Sequence, residues 1–158
     1  MSVVVFLLLA WFSVMVLVTL PSKLPLIVNV LLFMAIDIVL TNKLTIIGFN
    51  LQWFKIHTDS VLRFLSLILH NDVTVTFALL VFANVFLLTP HAGARWAVSL
   101  YAFLFQILSG LTLRWNGVLT DVSWNFMKES LMIALMMGYT LLVGSILQRM
   151  AAREGWIR

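Results

Sequence analysis

Long apolar runs separated by short polar links make up almost the whole chain. A helix needs about 20 apolar residues to cross the hydrocarbon core of a bilayer, because each residue adds about 1.5 Å to its length. Five runs approach that length. They predict membrane-spanning helices over about residues 3–20, 24–41, 73–89, 96–113 and 126–147.

Proline and polar residues mark the links between these runs. Pro21 ends the first run and Pro90 the third, since proline lacks the N–H that a helix interior needs. Asn71 and Asp72 precede the third run, where such side chains often cap a helix. No basic residue precedes Lys23, so a retained first span is favoured over a cleaved signal peptide.

The stretch over residues 44–70 does not fit the same pattern. Its first part, 46–54, is apolar but short and interrupted by polar residues, and its second part, 60–69, has a helical pattern that includes Arg63. Ten residues of helix reach only about 15 Å, half of a bilayer core. We expect an interfacial or re-entrant helix here. The alternative joins 60–69 to the third span as one long, tilted or broken helix.

The composition supports a membrane protein. Hydrophobic residues make up 63% of the chain and charged residues 10%, whereas a soluble domain carries about 25% charged residues. So few charges cannot cover a surface that faces water. We predict an all-α integral membrane protein, a single helical domain over residues 1–158 with about five spans and one interfacial or re-entrant helix.

Charge and cysteine content narrow the partners. The net charge of +4 is what basic residues at a membrane surface produce, so nucleic acid is not an expected partner. The chain has no cysteine, which excludes disulfides and thiolate metal sites. We expect membrane lipid as a partner, another membrane protein or a second copy of the chain as a further one, and no cofactor.

The acidic residues gather on one predicted side of the membrane. With five spans, the 42–72 and 114–125 loops share one side, and the C-terminal tail lies on the other. The ten basic residues divide evenly, but of the six acids only Glu154 belongs to the tail side. The positive charge of the tail predicts a cytoplasmic C-terminus and an external N-terminus.

A charged cluster is predicted at the loop side. Asp37 and Glu129 lie inside spans at matching depths, and Arg63, Arg114 and Lys128 can reach that level. An ion-pair network that caps the bundle is the simpler interpretation of these five residues. The alternative is an ion, proton or substrate site, because acids within a membrane are costly and often functional.

Other polar residues lie deeper within the predicted spans. Asn29, Asn84, Gln106 and Thr140 belong to four different spans. Small and polar residues let helices approach one another and bond across the contact, so bundle packing is the favoured interpretation. The alternative is a narrow polar path between the helices.

Two similar tripeptides contain a histidine followed two residues later by an aspartate: His57-Thr58-Asp59 and His70-Asn71-Asp72. Their histidines and aspartates are weak candidates for metal ligands. Each aspartate also precedes a helical pattern, which is a capping position. Capping is therefore favoured, and we predict no metal site.

No catalytic motif is present. The chain lacks G-x-S-x-G, H-E-x-x-H and the phosphate-binding glycine motifs. The favoured function is a non-enzymatic membrane subunit or accessory protein that acts through helix–helix contacts. A small channel or transporter for an ion or polar solute is the first alternative, and a membrane-embedded enzyme acting on a lipid is the second.

The layout resembles an uncharacterised family of small multi-span membrane proteins from spore-forming Firmicutes. The similar features are Leu20-Pro21-Ser22-Lys23, Trp53-Phe54-Lys55, and Trp124-Asn125 ahead of Ser130. The resemblance implies a bacterial cytoplasmic membrane or a spore membrane and an association with sporulation. It implies no activity and no site residues.

Overall fold

A computed structural model describes residues 2–21, 23–57 and 59–154. The α-helices are α1 (Ser2–Thr19), α2 (Leu26–Lys43), α3 (Val61–Ile68), α4 (Thr76–Leu88), α5 (Ala92–Trp115) and α6 (Phe126–Arg153). Two π-helical segments, π1 (Leu44–Asn50) and π2 (Leu69–Val75), and two short strands, β1 (Phe54–Ile56) and β2 (Leu119–Asp121), complete the described elements.

The π-helical segments join neighbouring helices into longer ones. π1 continues α2, and π2 links α3 to α4, so the described residues form about five helices in all. The prediction of an all-α fold with about five helices is confirmed. Four helices are long and apolar enough to cross a membrane, and α1 is a shorter apolar helix; the four are Leu26–Asn50, Val61–Leu88, Ala92–Trp115 and Phe126–Arg153.

The segment over residues 44–70 differs from the favoured expectation. Its first residues extend α2 through π1, and Val61–Ile68 continues without a break into the next long helix, which corresponds to the alternative prediction. Asn71 and Asp72 lie inside π2 and not at a helix start. The capping interpretation of Asp72 is therefore wrong.

Threonine side chains accompany the wider turn of π2. The hydroxyl of Thr74 donates to the carbonyl oxygen of Leu69 at 2.9 Å, and that of Thr76 donates to Asn71 at 3.2 Å. A π-helical turn holds one residue more than an α-helical turn and commonly occurs within a longer helix. The chain thus stays helical through a polar stretch whose composition resembles a helix boundary.

A two-stranded ribbon connects two loops that are distant in sequence. β1 pairs antiparallel with β2, so that Phe54 lies opposite Asp121 and Ile56 opposite Leu119. The ribbon places the loop after π1 beside the loop after α5. We call this end of the bundle the ribbon end.

The helices alternate in direction between the ribbon end and the opposite end. Val28 near the start of α2 packs with Leu88 at the end of α4 and Ala151 near the end of α6. Phe6, near the start of α1, packs instead with Leu113 near the end of α5. We call the end that contains Ala151 the tail end.

The main core lies between α2, α4 and α6. Leu32, Ile36 and Leu40 recur every fourth residue on α2 and so share one face. They pack with Leu79 of α4 and Met136 of α6. The outward faces remain apolar as well, with exposed side chains that include Leu7, Trp11, Leu31, Leu104, Leu108, Leu131 and Leu135.

Candidate functional site

A charged centre occupies the ribbon end of the bundle. The guanidinium of Arg114 contacts two carboxylates: its Nε donates to Asp121 Oδ2 at 2.8 Å, and its Nη2 donates to Glu129 Oε2. The side chains of Arg114 and Glu129 keep only 20% and 18% of their exposure. The structure therefore brings together two of the five residues of the predicted cluster and adds Asp121 to them.

Trp124 completes the hydrogen bonding of Glu129. Its indole Nε1 donates to Glu129 Oε2 at 2.8 Å. The backbone N–H groups of Val122, Ser123 and Trp124 all donate to the carbonyl oxygen of Trp53, at 3.0 to 3.1 Å. The ribbon loops thus hold the indole against the carboxylate.

The start of α6 places Glu129 beside Arg114. Asn125 caps this helix, because its side-chain oxygen accepts a hydrogen bond from the backbone N–H of Lys128 at 2.9 Å. Glu129 lies in the first turn, where a negative charge is favoured by the helix dipole. On α5, Gly110 leaves room for the pair, since a Cβ there would lie 3.2 Å from Glu129 Oε1.

A small cavity of about 40 Å³ adjoins the charged centre. Such a volume has room for one or a few water molecules, at about 10–15 Å³ each. Lys43, at the end of α2, lines the cavity within electrostatic range of both Arg114 and Glu129. The other polar side chains that line it are His70, Asn71 and Trp124.

The remaining basic residues of the predicted cluster lie elsewhere at the ribbon end. Arg63 pairs with Asp59 at 2.9 Å, one helical turn away. Lys128 Nζ donates to the carbonyl oxygen of Ser123 at 2.6 Å and lies 4.3 Å from the ring centre of Trp53. Neither side chain joins the contact between Arg114 and Glu129.

The exposed pair of Asp59 and Arg63 replaces the expected cap. The residue at the N-cap of α3 is Ser60, and no side chain caps this helix, so the capping interpretation of Asp59 is also wrong. The hydrogen bond from Arg63 lowers the pKa of the Asp59 carboxyl below its ordinary value of 3.8.

Asp37 lies apart from the charged centre. Its Oδ1 is buried and has no hydrogen-bond partner among the described residues. The negative charge of Asp72 in π2 acts electrostatically on the carboxyl group of Asp37. Asp72 itself accepts a hydrogen bond from the side chain of Asn71 at 2.8 Å. The carboxylates of Asp37 and Asp72 therefore repel one another across the contact of α2 with π2.

Asn29 and Asn84 form an amide pair at the tail end. The Nδ2 of Asn84 donates to Asn29 Oδ1 at 2.7 Å, and its Oδ1 accepts the backbone N–H of Leu24 at 2.7 Å. Asn29 Nδ2 donates to the carbonyl oxygen of Leu24 at 2.9 Å. Asn84, which is fully buried, therefore fixes the start of α2 against α4.

The other two residues of the predicted polar path bond within their own helices. Gln106 Nε2 donates to the carbonyl oxygen of Ala102 at 3.1 Å, and Thr140 Oγ1 donates to that of Met136 at 2.7 Å. These hydrogen bonds do not link Gln106 or Thr140 to the amide pair. The four side chains thus form one local pair and two bonds within helices.

The histidine and aspartate candidates do not converge. His57 Nε2 lies 3.0 Å from Thr120 Oγ1 on the ribbon, whereas His70 is buried in the bundle with its Nε2 3.2 Å from Ser109 Oγ. Among residues 2–21, 23–57 and 59–154, no three His, Asp or Glu side chains are placed to hold a metal ion.

An outer groove runs along α4, α5 and α6 near the tail end. It consists of two adjoining hollows of about 370 and 400 Å³ that share Phe86, Trp96 and Ser99. Arg95 lines the first hollow, and Gly138 lines the second. A Cβ at Gly138 would meet no atom within 4 Å, so the groove is open at this point.

Sequence reasoning missed three members of the charged centre, Lys43, Asp121 and Trp124. Trp124 looks like an interfacial aromatic residue, and Lys43 looks like the end of a span. Asn116-Gly117 is a turn signal that would return the chain and bring Asp121 back to Arg114. The positive φ of 65° at Gly117 agrees with such a turn.

Comparison of the chain with protein-family models, with curated proteins and with solved structures finds no match. The resemblance to small membrane proteins of spore-forming Firmicutes stays a prediction from short motifs.

Proposed function

We propose that the protein is a multi-pass integral membrane protein that acts as a non-enzymatic subunit or accessory protein. Its helices would contact those of another membrane protein or of a second copy. The proposed location is a bacterial cytoplasmic membrane or a spore membrane, with the C-terminus in the cytoplasm. Exposed apolar side chains on the outer faces of four long apolar helices support membrane insertion.

The bonding of the polar groups in the interior carries the functional part of the proposal. Asn29 and Asn84 bond to each other, Gln106 and Thr140 bond within their helices, and Arg114 bonds to carboxylates of the same chain. The bonds that cross between helices stabilise helix packing, and the other polar groups are satisfied within their own helices. They leave the apolar outer faces as the surface available to a partner.

Insertion and orientation are tested first. Alkaline carbonate extraction should leave the protein in the membrane pellet. Reporter fusions at the two termini should give a cytoplasmic C-terminus and an external N-terminus. Release by carbonate would contradict membrane insertion, and a cytoplasmic N-terminus would contradict the five-span orientation.

The partner is tested by photo-crosslinking in native membranes. A photoreactive amino acid at Leu108, whose side chain is 60% exposed, should give a discrete product of higher mass. The same probe at Leu79, which is fully buried in the core, is the matched control and should give none. If no exposed position on α5 or α6 gave a product and the purified protein stayed monomeric, the proposal would be rejected.

Asp37 favours a channel or transporter as the second candidate. A buried carboxylate oxygen without a hydrogen-bond partner among the described residues could hold a proton or a cation. Purified protein in liposomes should then conduct protons or cations, and Asp37→Asn should abolish the flux. Asp59→Asn, which changes an exposed acid, is the control. Flux that is absent, or equal in both variants, would contradict this candidate.

The membrane-embedded lipid enzyme stays a prediction from the sequence. Its candidates on the loop side, His57, His70, Asp59 and Asp72, do not converge on a common point in the described part of the chain.

A further inference from the structure

The outer groove combines an apolar channel with a fixed positive charge at one end. We propose that it binds one acyl chain of an anionic phospholipid whose phosphate is held by Arg95. The inference rests on the proposed membrane location, because only a bilayer supplies this ligand to the outer face of the bundle.

The walls of the groove suit an acyl chain. Phe86, Phe103 and Leu141 provide apolar surface from the three helices that form it. Ser99 adds no unsatisfied polar group, since its hydroxyl donates to the carbonyl oxygen of Arg95 at 2.8 Å. At Gly138 the missing side chain keeps the groove open. A hydrocarbon chain seated there would contact apolar walls along its length.

Arg95 is held in position at the tail end of the groove. Its Nε donates to the carbonyl oxygen of Thr89 at 2.8 Å, and its guanidinium carbon lies 5.4 Å from the ring centre of Phe86. The bond through Nε leaves both terminal nitrogens as donors for a further anion. No carboxylate pairs with Arg95 in the part of the chain that the structure describes.

A phosphate group matches these donors. Guanidinium binds phosphate through two parallel hydrogen bonds, and a preorganised side chain loses little freedom on binding. Trp96, next to Arg95, is 77% exposed, as expected for an indole at the level of lipid headgroups. Arg95, Trp96 and the apolar groove therefore lie in the same order as the phosphate, the interfacial region and the acyl chain of a phospholipid.

Charge decides between a lipid and a helix as the occupant. An apolar helix in the groove would fill the hollow but leave the guanidinium of Arg95 without a counter-charge. The tail end carries further positive charge on Lys23, Arg149 and Arg153, with Glu154 as its acid. An anionic lipid complements both the local and the surrounding charge.

Native mass spectrometry of the detergent-solubilised protein tests the charge contact. With phosphatidylglycerol added, the wild-type protein should retain one lipid, and retain it better than phosphatidylcholine. Arg95→Gln should weaken phosphatidylglycerol retention about tenfold, the effect of losing a charged hydrogen bond. Arg149→Gln removes an exposed cation of the same end that does not line the groove, so it should weaken retention much less than Arg95→Gln. Equal retention by Arg95→Gln and wild type would overturn the proposal.

A second variant tests the acyl-chain channel independently of Arg95. Gly138→Leu adds a side chain where space is open, so the fold should persist while the groove is filled. Retention of phosphatidylglycerol should fall about tenfold or more. Leu135→Phe adds bulk at an exposed position of α6 that does not line the groove, and it should retain the lipid.

The outcomes separate this proposal from the proposed function. If Gly138→Leu removed a dimer or a co-purifying protein and left lipid retention unchanged, a helix would be the occupant and the lipid proposal would be overturned. Carbonate extraction of the same variants reports on membrane insertion alone. Loss of insertion would contradict the membrane location, whereas inserted protein without lipid preference contradicts only the lipid site.

Discussion

Polar side chains meet as charges at the ribbon end of the bundle and as neutral amides at the tail end. Arg114 is held by Asp121 and Glu129, while Asn29 and Asn84 bond to each other. Asn84 of the amide pair is fully buried but carries no net charge to desolvate, and its bonds satisfy the start of α2. The charged centre keeps partial exposure and adjoins a cavity. Burial is thus matched to the kind of polar group.

The comparison teaches that the two ends should respond differently to the loss of one partner. Removing one carboxylate leaves a cation with less compensating charge, whereas removing an amide leaves a neutral donor or acceptor. Variants of both kinds, unfolded in the same detergent, measure that difference.

Glu129→Leu should lower the free energy of unfolding most. It leaves Arg114 with Asp121 alone and removes the acceptor of the Trp124 indole. We expect a loss of about 2–3 kcal/mol. This is at or below the low end of the cost of removing one partner from a buried ion pair, because the side chains of Arg114 and Glu129 keep some exposure. Denaturant titration in detergent micelles measures it. Glu154→Leu, in the exposed tail, is the control, and a loss below that of the next variant would contradict the comparison.

Asn84→Leu should cost about 1–2 kcal/mol. It removes the bond to Asn29 and leaves the backbone N–H of Leu24 without its acceptor. A double-mutant cycle with Asn29→Leu should give a coupling free energy of about 0.6–1.7 kcal/mol, the range for hydrogen bonds between membrane helices. Asn42→Leu, at an exposed position, is the control. A coupling of zero would show that the amide pair does not stabilise the tail end.

Gly110→Ala and Gly138→Ala should change stability in opposite directions. A Cβ at Gly110 would press on Glu129 Oε1 at 3.2 Å and on Arg114 Nη1 at 3.4 Å, so a loss of about 1 kcal/mol is expected. Gly138 has open space, so alanine there should gain about 0.5–1 kcal/mol through helix propensity. Both are measured as above. Equal changes would show that Gly110 does not make room for the ion pair.

Asp59→Asn should have the smallest effect, because the pair with Arg63 is exposed. The hydrogen bond from Arg63 lowers the pKa of Asp59, so any stabilisation is present above the ordinary pKa and is lost as the pH falls through the lowered one. Carboxyl chemical shifts followed against pH report this pKa. In Arg63→Gln it should rise toward 3.8. An unchanged pKa would contradict the contact.

The sequence predicts the helices well because apolar length is a local property. Runs such as 24–41 and 126–147 are recognised without knowledge of distant residues. For the same reason, the join at π2 is only the alternative prediction. Asn71 and Asp72 have the composition of a helix start, but in the bundle they are buried or half-buried within π2, whose threonine side chains bond to its backbone.

The ribbon and the amide pair depend on distant partners. Phe54–Ile56 and Leu119–Asp121 are too short to show an alternating strand pattern, and their pairing is set by the helices that bring them together. Asn29 and Asn84 are recognisable as packing residues, but their partnership requires the relative position of two helices. The sequence identifies Asn29 and Asn84 as packing residues but does not show which residues they contact.

The ribbon also sets an order of assembly. His57 and Thr120, which lie 3.0 Å apart across it, are separated by 63 residues in the chain. The first strand therefore leaves the ribosome well before its partner exists, and the loop that joins them must include two complete long helices. Closing a long loop is slow because its entropy is lost before the contacts form. Glu129 lies later still, so Arg114, already able to pair with Asp121, gains its second carboxylate only when the last helix is made.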